Sequence, residues 1–526
     1  MTHPTANIRI LKSPQQVFTT IAIVFGVFVV FLTPPFQSPD EYLHFYRAFQ
    51  IAEGHLVAER QTGDCYGYSK YFETEVCLGG NLPNSVLTTV RNVSSRDLRF
   101  DKTQKQNLDE LFAVLDLPLN PQDRVFINFK TTALHSPIPY LPQALGIAIA
   151  KAANLSPLKL MYSGRLANLA AWVGLVFLGI RWSPIHQWFL VMLALTPMSL
   201  FLASSLSLDA LTNGVAFAFL GLVLRVAIGD ETEEKTTEKI HETQLQQDLN
   251  VECRSSIQPT RVREIAKRGQ SFQDVTKTEE NRNPSIDLAI LAVLAIALSL
   301  SKLAYFPLVL LFLAIPRRKV GSWRRYWGSF SAIALASGVA VVLWSQVVSR
   351  IYVSLHPQLS PSDQIQFVLT HPLAFAATVM RTLTTFGGDY AHQFIGVLGW
   401  LDAPLPRWLV ALYWGMLAIA AWLPNPADKG FKLWQRGVFA LSALSSMVML
   451  CGLAYLWNFV GAETIGGLQG RYWIPIAPAI GLLFYNRRLR RISKSLPRFW
   501  VGFVLFSSTI TLAVLCDRYY GSIVGR

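Results

Sequence analysis

Charged side chains are scarce in this sequence. Asp, Glu, Lys and Arg make up 15% of its 526 residues, against about 25% in soluble globular proteins. The deficit excludes a disordered chain, which needs low hydrophobicity and high charge, and argues against a soluble enzyme. Cysteine is also sparse, with five in all, which excludes a disulfide-dense scaffold. The sequence contains no CxxC pair, HExxH string or histidine cluster to mark a tight metal site. A divalent metal is therefore open as a cofactor but not indicated. No Walker A or GxGxxG string marks a nucleotide. Apolar residues, by contrast, reach 52%. Composition of this kind belongs to an all-α polytopic membrane protein.

The charge that is present is basic, with 47 Lys plus Arg against 33 Asp plus Glu. Its placement speaks against nucleic acid. Arg317, Arg318, Lys319, Arg324 and Arg325 fall in one short connection, and Arg487, Arg488, Arg490, Arg491, Lys494 and Arg498 in another. Neither contains an acid. Short basic connections between apolar runs are the positive-inside signature of cytoplasmic loops.

Apolar runs predict about eleven transmembrane helices. The first covers 17–33, after a short cytoplasmic N-terminus, 1–16. Pro34 and Pro35 follow it rather than a small-residue cleavage site, so it reads as an uncleaved helix rather than a signal peptide. Helices two to four occupy 162–181, 185–204 and 208–227 within 162–227. Helices five to seven occupy 285–300, 303–316 and 329–350 within 285–350. Helices eight to eleven occupy 407–423, 436–458, 472–486 and 499–516 within 407–516. Strand alternation is absent, and lipid tolerates only helices or closed barrels.

Charge parity fixes the topology. With the two basic connections inside, the N-terminus is inside and the C-terminus, 517–526, outside. Residues 34–161 become a long first external loop, the candidate catalytic region. Both of its ends are outside, so 138–154, with Pro139 and Pro142, is a juxtamembrane helix and not a crossing. Residues 228–284 are polar and poor in aromatics, a flexible cytoplasmic insertion. Residues 351–406 form a second external loop. Cys65 and Cys77 share the first loop, where they form either a disulfide or two unpaired thiols.

The candidate chemistry lies at the external boundary. In 35–48, Ser38, Pro39 and Glu41 read as a capping box that starts a helix. On that reading Asp40 and Glu41 only stabilise the helix N-terminus. Alternatively, Asp40, His44 and Arg47 share one face of the helix just past the first span. A carboxylate there can meet a substrate whose tail lies in the bilayer. Parity brings other polar groups to the same boundary: His135, Arg165, Asn168, Asp209, Lys302, Tyr305, Arg381, Asp389, Gln469, Arg471 and Tyr472. Acids beside Arg and Lys at a lipid boundary suit a carboxylate base and a clamp for an anionic phosphate.

The strings PxxSPDEYLHFYRA, PMSLFLASSLSLDAL, SKLAYFPLVLL, IGVLGWLDAPLP and GLQGRYWIPIAP resemble a bacterial multi-pass membrane family catalogued as a domain of unknown function. That family is similar in layout to the GT-C glycosyltransferases, integral-membrane enzymes that take sugars from polyprenyl-phosphate carriers. The resemblance implies a GT-C-like fold and catalysis by an acid of the first external loop, Asp40 or Glu41. His44, Arg47, Arg165, Asp209, Lys302, Gln469, Arg471 and Tyr472 are then candidates for holding substrate and carrier phosphate. The expectation is hexosyl transfer from a polyprenyl-phosphate-linked sugar to an acceptor of unknown identity, in contact with membrane lipids at the cell (inner) membrane. A flippase or transporter of lipid-linked glycans, or a polymerase or ligase of surface polysaccharide, is the alternative.

Overall fold

A computed structural model describes residues 13–66, 76–94, 98–99, 101–228, 284–354, 358–423, 430, 432–486 and 496–521. The expectations for residues 1–12 and 522–526, most of 228–284 and the basic connection 487–495 lie outside them.

The chain is mostly helical. Seven helices are long and apolar enough to cross a membrane: α1 (Pro14–Leu32), α6 (Pro157–Trp182), α9 (Asp209–Ile228), α10 (Pro284–Ser301), α11 (Trp323–Ile351), α15 (Leu433–Tyr455) and α17 (Leu496–Tyr520). The other four expected spans are short or broken. Run 185–204 splits at Pro197 into α7 (Gln187–Ala194) and α8 (Pro197–Ala203). Run 303–316 is a 3-10 helix, Leu303–Ala314, and 407–423 is α14 (Arg407–Trp422). Run 472–486 holds a 3-10 turn, Gly470–Trp473, and α16 (Ala477–Leu483). A broken helix leaves backbone groups unpaired, which only a protein surround can tolerate at membrane depth. Residues 189–203 are buried throughout.

α6 and α9 form the most extensive helix pair. A Cβ at Gly179 would stand 2.5 Å from the Phe217 carbonyl oxygen, and one at Gly221 would collide with the Gly179 backbone. Small residues let two helix backbones approach this closely where lipid supplies no hydrophobic drive.

The segment between α1 and α6 folds into a lobe, and here the all-α expectation is corrected. Strands β1 (Glu59–Thr62), β2 (Val76–Pro83) and β3 (Arg124–Asn128) form an antiparallel sheet in the order β1-β2-β3. The strands are short, β1 is polar throughout, and β2 contains Gly79 and Gly80, so no alternation marks them. Cys65 and Cys77 are joined in a disulfide beside this sheet. Helix α2 (Glu41–Ala52) packs on α5 (Leu141–Ala152), which follows a 3-10 turn at Ile138–Tyr140. Helices α3 (Asn84–Val93) and α4 (Leu108–Leu115) complete the lobe. Residues 351–406, expected as a loop, carry α12 (Pro361–Thr370), α13 (Pro372–Gly396) and a hairpin of β4 (Val397–Leu398) and β5 (Ala403–Pro404).

One buried network ties the lobe to the bundle. Arg165 on α6 and Glu41 at the start of α2 are both fully buried. Arg165 Nε donates to Glu41 Oε1 at 2.8 Å and Nη2 to Oε2 at 2.6 Å. Arg165 Nη1 donates to the Val30 and Thr33 carbonyls and Nη2 to the Pro34 carbonyl. The guanidinium thus satisfies the orphan carbonyls at the C-terminal end of α1. Glu41 Oε1 also accepts the Leu206 N–H at 3.0 Å. The capping box is only half formed: Ser38 N–H donates to Glu41 Oε2 at 3.5 Å, but the Ser38 side chain caps nothing. Asp40, not Ser38, is the N-cap residue, and its backbone is left-handed at φ 56°. The Ser38 hydroxyl has no hydrogen-bond partner.

Arg165→Met should leave Glu41 buried without its cation, which costs about 3–5 kcal/mol. The expected outcome is a sharp fall in the thermal unfolding midpoint of the detergent-purified protein, or loss of folded protein from the membrane. A midpoint equal to wild type would show that the pair does not hold the lobe in place.

Candidate functional site

The site is assembled from four segments that converge where the lobe meets the bundle. The turn before α2 supplies Asp40 and α2 supplies His44. The first turn of α9 supplies Asp209. The junction between α10 and the following 3-10 helix supplies Lys302, and the 3-10 turn Gly470–Trp473 supplies Arg471 and Tyr472.

Asp209 is the centre of charge. Lys302 Nζ lies 3.3 Å from its Oδ1 and Arg471 Nε 3.5 Å from its Oδ2. An acid in the first turn of a helix also lies favourably in the helix dipole. The 205–207 segment fixes that turn. Asn168 Nδ2 donates to the Ser205 and Ser207 carbonyls, Gln143 Nε2 donates to the Ser207 carbonyl, and Asp209 N–H donates to the Ser207 hydroxyl. Lys302 Nζ sits 3.8 Å from the centre of the Tyr472 ring, a cation–π contact. Tyr305 Oη donates to the Tyr472 carbonyl at 2.9 Å. Gly470 makes this packing possible, because a Cβ there would collide with the Tyr390 carbonyl of α13, and its N–H donates to Gln393 Oε1 at 2.9 Å.

Asp40 stands apart from these bonds. It is the partly buried residue beside a fully buried Glu41, and among the described residues no donor hydrogen-bonds its carboxylate. Burial raises its pKa above the usual aspartate value, while the nearby charges of Arg471 and Arg99 pull it back in part. A carboxylate with a raised pKa is a stronger base than an exposed one. His44 Nδ1 shares a 2.8 Å hydrogen bond with Tyr140 Oη. Burial, reinforced by neighbouring His135, lowers the His44 pKa to about 3, so the ring is neutral. His135 is shifted in the same direction by burial and by Lys302.

The structure thus brings Asp40, His44, His135, Asp209, Lys302, Arg471 and Tyr472 into one electrostatic neighbourhood. Gln469 adjoins it and lines, with Arg471, a small groove otherwise walled by Pro39, Met198, Phe201, Leu202 and Leu401 among others. Glu41 and Arg165 are engaged with each other. Arg47 is fully buried and donates to Gln50 Oε1 and to the Leu56 and His135 carbonyls, which holds the lobe together. Arg381 pairs with Glu463 at the surface, and Asp389 is exposed.

Three residues of this neighbourhood are not among the site residues expected from the sequence. The Arg99 guanidinium lies 4.8 Å from the centre of the Tyr42 ring and 5.6 Å from that of Trp400, and the two rings are stacked. Trp400 Nε1 donates to the Phe36 carbonyl, tying the β4–β5 hairpin to the turn that bears Asp40. Arg99 sits in a polar stretch with nothing to distinguish it, whereas Tyr42 and Trp400 lie inside conspicuous strings. No group of three or more His, Cys, Asp or Glu that could hold a metal occurs among the described residues.

Seven apolar helices of spanning length define a multi-pass membrane protein. The chain belongs to the predicted membrane protein family DUF2142, whose model matches residues 23–245 and 265–480. No curated protein and no solved structure matches it.

The neutral His44 predicts a pH dependence of known sign. Its pKa is about 6.5 in the unfolded chain and about 3 in the fold. Between those values the unfolded state binds the extra proton, so stability falls as pH drops below 6.5. At pH 5 the loss is about 2 kcal/mol relative to pH 7.5. Unfolding midpoints of wild type and His44→Gln measured at both pH values should differ in slope, with the variant flatter. Equal slopes would show that His44 titrates normally.

Proposed function

We propose that this protein is a GT-C-type glycosyltransferase that moves a sugar from a polyprenyl-phosphate carrier to an acceptor hydroxyl at the external membrane face. One observation carries the reading: a partly buried Asp40 carboxylate, unbonded among the described residues, lies within electrostatic reach of Arg471, which shares Asp209 with Lys302. Asp40 takes the acceptor proton as the acceptor oxygen attacks the anomeric carbon. The bond from that carbon to the phosphate oxygen breaks with inversion. The phosphate leaves on its polyprenyl chain, held by Arg471 and Lys302. Asp209 orients those two cations. Glu41 serves structure, since both of its oxygens are bonded.

The external placement rests on two features at opposite ends of the chain's helices. The Cys65–Cys77 disulfide lies in the lobe and suits an oxidising compartment. The basic connection around Arg317 starts α11, whose other end packs against the lobe. With the four short or broken segments also crossing, the bundle has eleven passes, N-terminus inside. A cysteine engineered at the exposed Phe112 of α4 should react with an impermeant reagent in intact cells. Labelling only after lysis would invert the topology.

The assay for the reaction is transfer of labelled sugar from polyprenyl phosphate by the purified protein in liposomes. Asp40→Asn should lower turnover on the order of 10²–10⁴-fold with donor binding little changed. Arg471→Ala should weaken donor binding. Full activity of Asp40→Asn would remove it as the base. The broken helix α7–α8 beside the groove is a feature shared with transporters. Carrier translocation without transfer by the wild type would establish that second reading.

A further inference from the structure

The end of the bundle away from Asp209 carries a second constellation that glycosyl transfer does not use. Helix α11 has 29 residues and so runs about 43 Å. Ile351 at its end packs against the lobe, so Trp323 marks the opposite end. There a cavity of about 520 Å³ is lined by Arg317, Arg318 and Lys432 together with Trp323, Trp327 and Trp434. The rest of its wall is aliphatic, proline or tyrosine, and among the described residues no acid lines it.

The local structure accounts for the convergence. Pro316 follows the 3-10 helix, Arg317–Val320 makes a single helical turn, and Gly321 at φ 122° turns the chain into α11. Gln435 Nε2 at the start of α15 donates to the Ala314 carbonyl at 2.9 Å. That bond brings Lys432 beside the Arg317 turn. The Trp323 and Trp327 rings are parallel within 7°, and the Arg317 guanidinium lies 4.9 Å from the centre of Trp323.

Three observations identify the occupant. The cavity is cationic, so it selects an anion. Its rim is aromatic and exposed, with Trp323 58% and Trp434 44% accessible, as suits rings at the level of lipid headgroups. Above it, Leu335, Val339 and Leu343 are more than half exposed and continue at four-residue steps the ridge on which Trp327 lies. Because α11 crosses the bilayer, that ridge faces acyl chains, and a lipid is the anion whose tail can lie on it while its headgroup sits in the cavity. We propose that the cavity is a binding site for an anionic glycerophospholipid, with its phosphate against Arg317 and Lys432 and an acyl chain along the α11 ridge.

Native mass spectrometry of the full-length protein, incubated with equal phosphatidylglycerol and phosphatidylcholine, tests this. Wild type should retain phosphatidylglycerol preferentially. The double variant Arg317→Gln/Lys432→Gln should lose roughly thirtyfold of that preference, from two cations each contributing about fivefold, with its lipid-free unfolding midpoint unchanged. If the double variant fails to fold, Trp323→Ser at the exposed rim should still weaken retention. Equal retention of both lipids by wild type, or an undiminished preference in the variants, overturns the site. Competition by inorganic phosphate at millimolar concentration as effective as that by the lipid would make it a soluble-anion site instead, and overturn the proposal.

Discussion

The Glu41–Arg165 ion pair is closed to water on both sides and joins four pieces of chain that are far apart in sequence. Its guanidinium takes the last carbonyls of α1, its carboxylate opens α2, its arginine belongs to α6, and the same carboxylate holds the Leu206 N–H just before α9. A buried pair of this kind adds little net stability, because desolvation offsets the attraction. Its effect is geometric. Every donor of the arginine and both oxygens of the glutamate are used, so the turn bearing Asp40 and the turn bearing Asp209 can be related in only one way.

On that frame the charges of the site are arranged in two tiers. Asp209 neutralises part of the field of Lys302 and Arg471 and keeps both side chains in place, which leaves an excess of positive charge facing Asp40. Among the described residues Asp40 has no such partner. Its left-handed backbone and the bond from Trp400 to the Phe36 carbonyl fix the turn on which it sits. A bonded acid and an unbonded one thus lie side by side in the same string, and the different roles proposed for Asp40 and Glu41 rest on that contrast.

Long spans were legible because a run of apolar residues reports length directly. The same index is blind to what happens within a run, so the break at Pro197, the 3-10 form of Leu303–Ala314 and the short α16 all read as ordinary crossings. The sheet in the lobe was illegible because its strands are too short and too polar to alternate. At the site, Asp209, Lys302 and Arg471 could be gathered from their common place at helix ends. The engagement of Glu41 with Arg165 could not, since nothing local indicates that a residue in a capping pattern bonds one in α6. Arg99 was invisible because a cation in a polar stretch is unremarkable until a fold places it over Tyr42 and Trp400.

The first and last helices share one core. Phe18 and Val29 of α1 lie in the same buried cluster as Trp500, Phe503 and Tyr519 of α17, and the α17 end is clasped by the lobe through Arg518, paired with Asp402 and bonded to the Leu98 and Gln104 carbonyls. During synthesis, then, α1 enters the bilayer with part of its packing surface facing lipid, and its partner is made some 480 residues later. Until then the growing chain is an open bundle whose seam cannot shut. The order of synthesis therefore makes α17 the piece that closes this seam.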